Sequence, residues 1–228
     1  MSIPENLDVV RKRIIDAACR AGRDPAEIKL VAVTKTVPLA GVKEVLSCGV
    51  NALGENRVQE FLTKYSHWPC GPEWHFIGRL QTNKVKKIIG KTALIHSLDR
   101  YSLALTISKA ACNSHTVARV LVQVNIAGEE TKTGLPPGEV PEFAAEAGRL
   151  PGLEVCGLMT IAPVCSDPEE ARPYFRQLRA LARRLQARFP DLRMRYLSMG
   201  MTGDFEVAVE EGANILRIGT AIFGARGR

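Results

Sequence analysis

The sequence predicts an α/β fold, a single (β/α)8 barrel. Three observations carry that prediction. Short β-rich runs recur eight times, amphipathic helical stretches separate them, and the turn after the first run, "VTKTVPL", contains no glycine. Regular β/α alternation implies a parallel sheet, and an open doubly wound sheet would carry a G-x-G-x-x-G turn at that first place.

The elements follow in order. Leu7, Val10, Ile14 and Ala17 or Ala18 recur at helical spacing among charges, so residues 7–20 form an extra helix expected to pack across the bottom or side of the barrel. The strands are "IKLVAV" (28–33), "VNAL" (50–53), "WHFI" (74–77), "ALIH" (93–96), "ARVLVQVN" (118–125), "LEVCGLM" (153–159), "MRYLS" (194–198) and "ANILRI" (213–218). Helices are expected over 39–47, 56–65, 82–89, 99–112, 139–149, 168–187 and 203–211. One domain, residues 1–228, accommodates all of them.

Composition narrows the function. With 46% hydrophobic and 24% charged residues in 228, the chain is ordinarily globular. No run approaches the roughly 18 apolar residues of a membrane span, and the N-terminus lacks a signal-peptide core, so a cytoplasmic protein is expected. Six scattered cysteines form no C-x-x-C pair, and four histidines form no H-x-x-x-H pattern; neither a disulfide framework nor a metal site is indicated. Much of the net charge of +7 lies in residues 171–195. There Arg172, Arg176, Arg179 and Arg183 share one helical stripe opposite Phe175, Leu178, Ala182 and Leu185. The expected reading is a packed helix with its basic side in water, and nucleic acid is not the expected partner.

Barrel sites lie at the C-terminal ends of the strands, and strand 8 closes against strand 1. Lys35, just past strand 1, is therefore expected to face the loops "SMGMTGD" (198–204) and "RIGTAIFG" (217–224). Ser198 brings a hydroxyl, Gly200 and Gly203 let backbone N–H groups turn into a concavity, and Gly219 and Thr220 supply further donors. These loops occupy the places where barrels commonly bind phosphate. Two ordinary turns with a helix cap at Thr202 or Asp204 are the alternative. A phosphate beside an amine points to pyridoxal 5′-phosphate (PLP), whose aldehyde Lys35 would hold as an imine once burial had lowered the lysine's pKa. Arg217, ending strand 8, would then contact the ring nitrogen without protonating it; a surface ion pair is the alternative.

The segments "VAVTKT", "LGENRVQE", "WHFIGRLQTNK", "IHSLD", "VQVNIAGEETKTG", "GLMTIAP" and "LSMGMTGDFEVAVEEGANILRIGTAIFG", in that order, cover nearly the whole chain. With them the sequence resembles the PLP homeostasis proteins, the YggS/PROSC family. The resemblance implies a barrel of the alanine racemase N-terminal type (fold type III among PLP proteins). It implies that Lys35 carries the imine, that Ser198, Gly200, Met201, Thr202, Gly219 and Thr220 surround the phosphate, and that Arg217 faces the ring nitrogen. Asn56 in "GEN" sits near the cofactor in that picture, or caps a helix with Gln59 in a capping box. Met159 packs on the ring or simply fills core. His75 and His96 are expected as satisfied barrel-lining side chains, and Thr82 as a helix cap. Lys132 matches a lysine-bearing family loop and is either a surface lysine or a second PLP-accepting amine. Val37 stands where some relatives place another lysine.

The sequence ends soon after strand 8, so no C-terminal β domain is expected, and no acid–base residue opposes Lys35. The expected function is a monomeric PLP carrier that supplies apo-enzymes, with no catalytic residues. A weak PLP-dependent amino-acid racemase is the alternative.

Overall fold

The computed structural model describes residues 2–129 and 132–224. Glu130 and Thr131 of the "GEETKTG" stretch, and residues 225–228, lie outside the described residues. Eight parallel strands close into a barrel in sequence order, β8 pairing back onto β1. They are β1 (Lys29–Val33), β2 (Ala52–Glu55), β3 (Glu73–Phe76), β4 (Leu94–Leu98), β5 (Ala118–Gln123), β6 (Leu153–Met159), β7 (Tyr196–Ser198) and β8 (Ile215–Ile218). The helices are α1 (Ile3–Arg20), α2 (Leu39–Ser47), α3 (Val58–Tyr65), α4 (Val85–Ile88), α5 (Tyr101–Asn113), α6 (Val140–Gly148), α7 (Arg172–Arg188), α8 (Phe205–Glu210) and α9 (Thr220–Phe223). None is long and apolar enough to cross a membrane.

The N-terminal helix begins earlier than its apolar spacing suggests. Ser2 and Glu5 form a capping box ahead of it, each bonding the other's backbone amide, with Pro4 in the first turn. Leu7, Val10, Ile14, Ala17 and Ala18 are buried as expected, each large side chain worth about 1.5–3 kcal/mol. They seat α1 on the side of the barrel against α2, α8 and α9. An Arg13–Glu206 ion pair at 2.7 Å and a bond from Asn6 Nδ2 to the Ile222 carbonyl at 3.0 Å fix that seat.

Two expectations need correction. β2 runs two residues later than "VNAL", through Gly54 and Glu55, residue types poor in strands. Gly54 is required because a Cβ there would lie 2.9 Å from Val31 Cγ1, and Glu55 is buried against Lys64. The arginine stripe of α7 is also not simply solvated. Arg172, Arg176 and Arg179 converge on the buried carboxylate of Glu211 at 3.0, 2.9 and 3.1 Å. The opposite face, Phe175, Leu178, Ala182 and Leu185, is buried as expected.

Inside the barrel, Val31, Ala52, Leu94, Leu121, Cys156, Met159 and Ile215 form one apolar cluster. Alternation alone would turn Met159 outward if Cys156 faces in. A register shift on β6 at Gly157 resolves this: its φ is +153°, and a Cβ there would sit 2.0 Å from the Tyr196 carbonyl oxygen.

Candidate functional site

The inner row of β1 is Lys29, Val31 and Val33, and its parity continues to Lys35 at the barrel mouth. The chain has left the strand there, and Lys35 is exposed rather than buried as the sequence reading expected. Its amine has no polar partner among the described residues.

On β8 the inner positions are Ile215 and Arg217. Arg217, only 4% exposed, pairs across the sheet with Val31. Its guanidinium donates to Ser198 Oγ at 2.6 Å and to the Thr160 carbonyl at 2.8 Å. No carboxylate forms an ion pair with it among the described residues. Burial pushes its pKa down to about 10, with Asp204 pulling weakly the other way, so it stays charged at neutral pH.

Ser198 is buried, and its hydroxyl lies between Arg217 and His96 Nδ1, the latter at 2.9 Å. His96 Nε2 in turn meets His75 Nδ1 at 2.8 Å. Burial holds both imidazoles below their ordinary range, so both are neutral. Since Arg217 can only donate, a consistent chain runs from Arg217 to Ser198, His96 and His75, each donating to the next. Below them, His75 and Lys29 hold the partly exposed Glu73 carboxyl down at about 2. The hydroxyl of Ser198, a residue expected around a phosphate, accepts from Arg217 and lies against His96.

The loop after β7 turns sharply at Gly200, whose φ is +93° and where a Cβ would meet Ala208 Cβ at 2.7 Å. The Gly200 carbonyl accepts from the Arg217 amide at 3.0 Å. Met201, which the family resemblance implies beside the phosphate, donates its amide to Asp204 Oδ1 at 2.6 Å. Asp204 thereby closes its own loop. Thr202 Oγ1 accepts from the Ala221 amide at 3.2 Å and ties this loop to the one after β8. The amides of Gly200, Thr202, Gly203, Gly219 and Thr220 have no partner among the described residues. Thr220 stands exposed at the head of α9. Two stitched loops thus offer five backbone donors at one rim, which is anion-binding chemistry.

Asn56 follows β2 directly. The helix-capping alternative does not hold: α3 is preceded by Arg57, and no side chain caps it. Instead Asn56 Oδ1 is buried without a partner among the described residues. Gly78 presses on it so closely that a Cβ would lie 2.1 Å from the Asn56 carbonyl oxygen. Thr82 is likewise no cap; Gln81 precedes that turn, without a side-chain bond. Beyond Asn56 opens a basic groove of about 820 Å³ lined by Arg57, Arg79, Lys84 and Arg100. A separate cavity of about 550 Å³ lies at the opposite end of the barrel, beside Lys29 and Tyr196. Met159 ends β6, buried in the inner cluster. Lys132 is held by Glu129 at 2.6 Å and the Ala162 carbonyl at 3.3 Å. It shares a cavity of about 200 Å³ with Cys165, Met201, Gly203 and Asp204.

Among the described residues, one rim therefore carries a free amine, an unpartnered buried acceptor and five free amides, with an arginine unpaired by any carboxylate just beneath it. That donor set fits a small phosphorylated aldehyde with a ring acceptor. Parallel barrel and mouth loops define the class, and the sequence model for the alanine racemase N-terminal domain matches residues 6–227. Solved alanine racemases share the fold alone: that of Clostridium difficile 630 superposes with a TM-score of 0.72 at 14% identity, over 100% of this chain and 57% of its own.

Within that class the relatives are specific. A pyridoxal phosphate homeostasis protein of Aquifex aeolicus is 51% identical over 227 residues, 99% of each chain. The protein of that name in Escherichia coli K12 is 40% identical over 98% of this chain and 97% of its own. PipY of Synechococcus elongatus, in a structure with PLP bound, superposes with a TM-score of 0.86 at 32% identity, over 98% of this chain and 100% of its own. The chain belongs to the pyridoxal phosphate homeostasis protein family.

Sequence reasoning missed what surrounds Lys35 from behind: Thr34, Glu55, Glu60 and Lys64. The signal was the acidic pair and lysine of "GENRVQEFLTK", which reads as an ordinary helix surface.

Proposed function

We propose that this chain holds PLP at the barrel mouth and releases it to apo-enzymes in the cytoplasm, as a single-domain monomeric carrier. The observation that carries the proposal is the unpartnered Lys35 amine on the same rim as the free amides of Thr202, Gly203 and Gly219. PLP bound to PipY supports it. The cofactor supplies an aldehyde that condenses with a primary amine and loses water. Lys35 supplies that amine. The two stitched loops orient the phosphate through backbone donors, with Gly200 and Thr220 shaping the turn and the head of α9. Asn56 Oδ1 accepts a hydrogen from the ligand, and Met159 closes the floor beside it.

Arg217 decides between holding and turnover. Still protonated at about 10, it offers a hydrogen bond to the ring nitrogen and no proton. A ring left unprotonated withdraws electrons weakly, so substrate carbanions gain little stabilisation. Lys132, beside the loop after β7, would serve as a second, transient amine only after leaving Glu129 and the Ala162 carbonyl, which hold it at 2.6 and 3.3 Å.

The test is an absorbance titration with PLP of wild type beside Lys35→Ala. The wild type develops the imine band and the variant does not; equal bands would sink the assignment. Incubation with L-alanine distinguishes the racemase: turnover above about 1 per second would be ordinary enzyme territory and would replace the carrier reading.

A further inference from the structure

Lys35 sits between two threonines held by three charged side chains from β2 and α3, two of them on the backbone and one on the Thr34 hydroxyl. Lys64, only 6% exposed, donates from Nζ to the Thr34 carbonyl at 2.6 Å and to Glu55 Oε1 at 2.6 Å. The Thr34 hydroxyl donates to the same Glu55 oxygen at 2.6 Å. On the other side, the Thr36 amide donates to Glu60 Oε2 at 2.8 Å, and that oxygen lies 3.7 Å from Lys64 Nζ. One buried ammonium thus links the residue before Lys35 to the carboxylate that grips the residue after it.

The grip answers a local strain. Thr36 has φ +61°, a left-handed conformation that a β-branched residue adopts only when its surroundings impose it. Two features make plain stabilisation a poor explanation. Glu55 is fully buried, burial pushes its pKa up, and its Oε2 has no partner among the described residues. A buried ion pair of that kind rarely stabilises a fold more than apolar side chains of the same volume. What it does supply is a fixed turn.

We propose that Glu55, Glu60 and Lys64 are positioning residues that strap the Thr34–Thr36 turn and so set where the Lys35 amine stands at the barrel mouth. This rests on the reading of Lys35 as the PLP-accepting amine. Lys64 itself cannot compete for the aldehyde, because its ammonium is committed to Glu55 and the Thr34 carbonyl.

Glu60 gives the cleanest test, since it lies near the surface and its loss leaves the buried pair intact. Glu60→Ala removes the acceptor from the Thr36 amide, whereas Glu60→Gln retains a carbonyl oxygen there. Amide hydrogen exchange at Thr36 in the PLP-free proteins reads the strap directly: about ten-fold faster exchange is expected in Glu60→Ala and near-wild-type exchange in Glu60→Gln. PLP titration reads the consequence: about ten-fold weaker uptake in Glu60→Ala, restored by glutamine, with melting temperatures unchanged within a few degrees. Unchanged exchange overturns the strap. Faster exchange with wild-type uptake overturns its positioning role, as does weaker uptake that glutamine fails to restore. If wild-type protein takes up no PLP at Lys35, the functional reading falls, while the exchange measurement still judges the strap.

Discussion

Replacing Arg217 with methionine should leave the folded protein almost as stable as before while weakening cofactor binding. Burial holds the guanidinium down at about 10, which disfavours its charged form by about 3 kcal/mol relative to an ordinary arginine. Methionine removes that cost and roughly keeps the volume. Against this, the Thr160 carbonyl loses its side-chain donor, at about 1–3 kcal/mol for a buried orphan acceptor. Ser198 still has His96. The two effects nearly cancel, so urea unfolding of the PLP-free variant should lie within about 2 kcal/mol of wild type. PLP affinity should fall about 10- to 100-fold through loss of one charge-assisted hydrogen bond. An arginine that anchored a structural ion pair would instead cost about 3–5 kcal/mol when removed. A loss of that size without PLP, or unchanged PLP affinity, would refute the reasoning.

Two further outcomes follow from the same geometry. Because His75 and His96 are held neutral by burial, the unfolded chain binds more protons than the folded one below the ordinary imidazole pKa of about 6.5. Their stability contribution is present above that pH and is lost as pH falls, at up to about 1.4 kcal/mol per pH unit for each histidine. Urea unfolding between pH 7 and 5 should show this slope, His96→Asn should reduce it, and a flat profile would contradict the buried chain. Gly78→Ala should cost about 1–3 kcal/mol and weaken PLP uptake, because the new Cβ falls 2.1 Å from the Asn56 backbone oxygen. Wild-type melting and uptake in that variant would show that the contact relaxes freely.

The barrel was legible because its strands are apolar runs bounded by helices of a different period. Where that signal failed, tertiary partners had replaced local preference. β2 continues through Gly54 and Glu55 because Val31 leaves no room for a side chain and Lys64 accompanies the carboxylate. The α7 arginines read as solvated because Glu211, their shared partner, lies 32 residues or more along the chain from each of those three. At the site, parity and loop position foretold which residues reach the mouth, but not what their atoms do there. The Ser198 hydroxyl and the Met201 amide are spent within the protein, and Lys35 is exposed rather than buried. Hydrogen-bond partners of that kind are chosen across the barrel, and nothing in a single segment announces them.

The central claim is that Lys35 is the amine that holds the aldehyde. Borohydride reduction of the PLP-loaded protein, followed by peptide mapping, tests it most directly. One stoichiometric pyridoxyl group is expected on the peptide carrying Lys35, and none in Lys35→Ala. A label that maps principally to Lys132 or another lysine in the wild-type protein would contradict it.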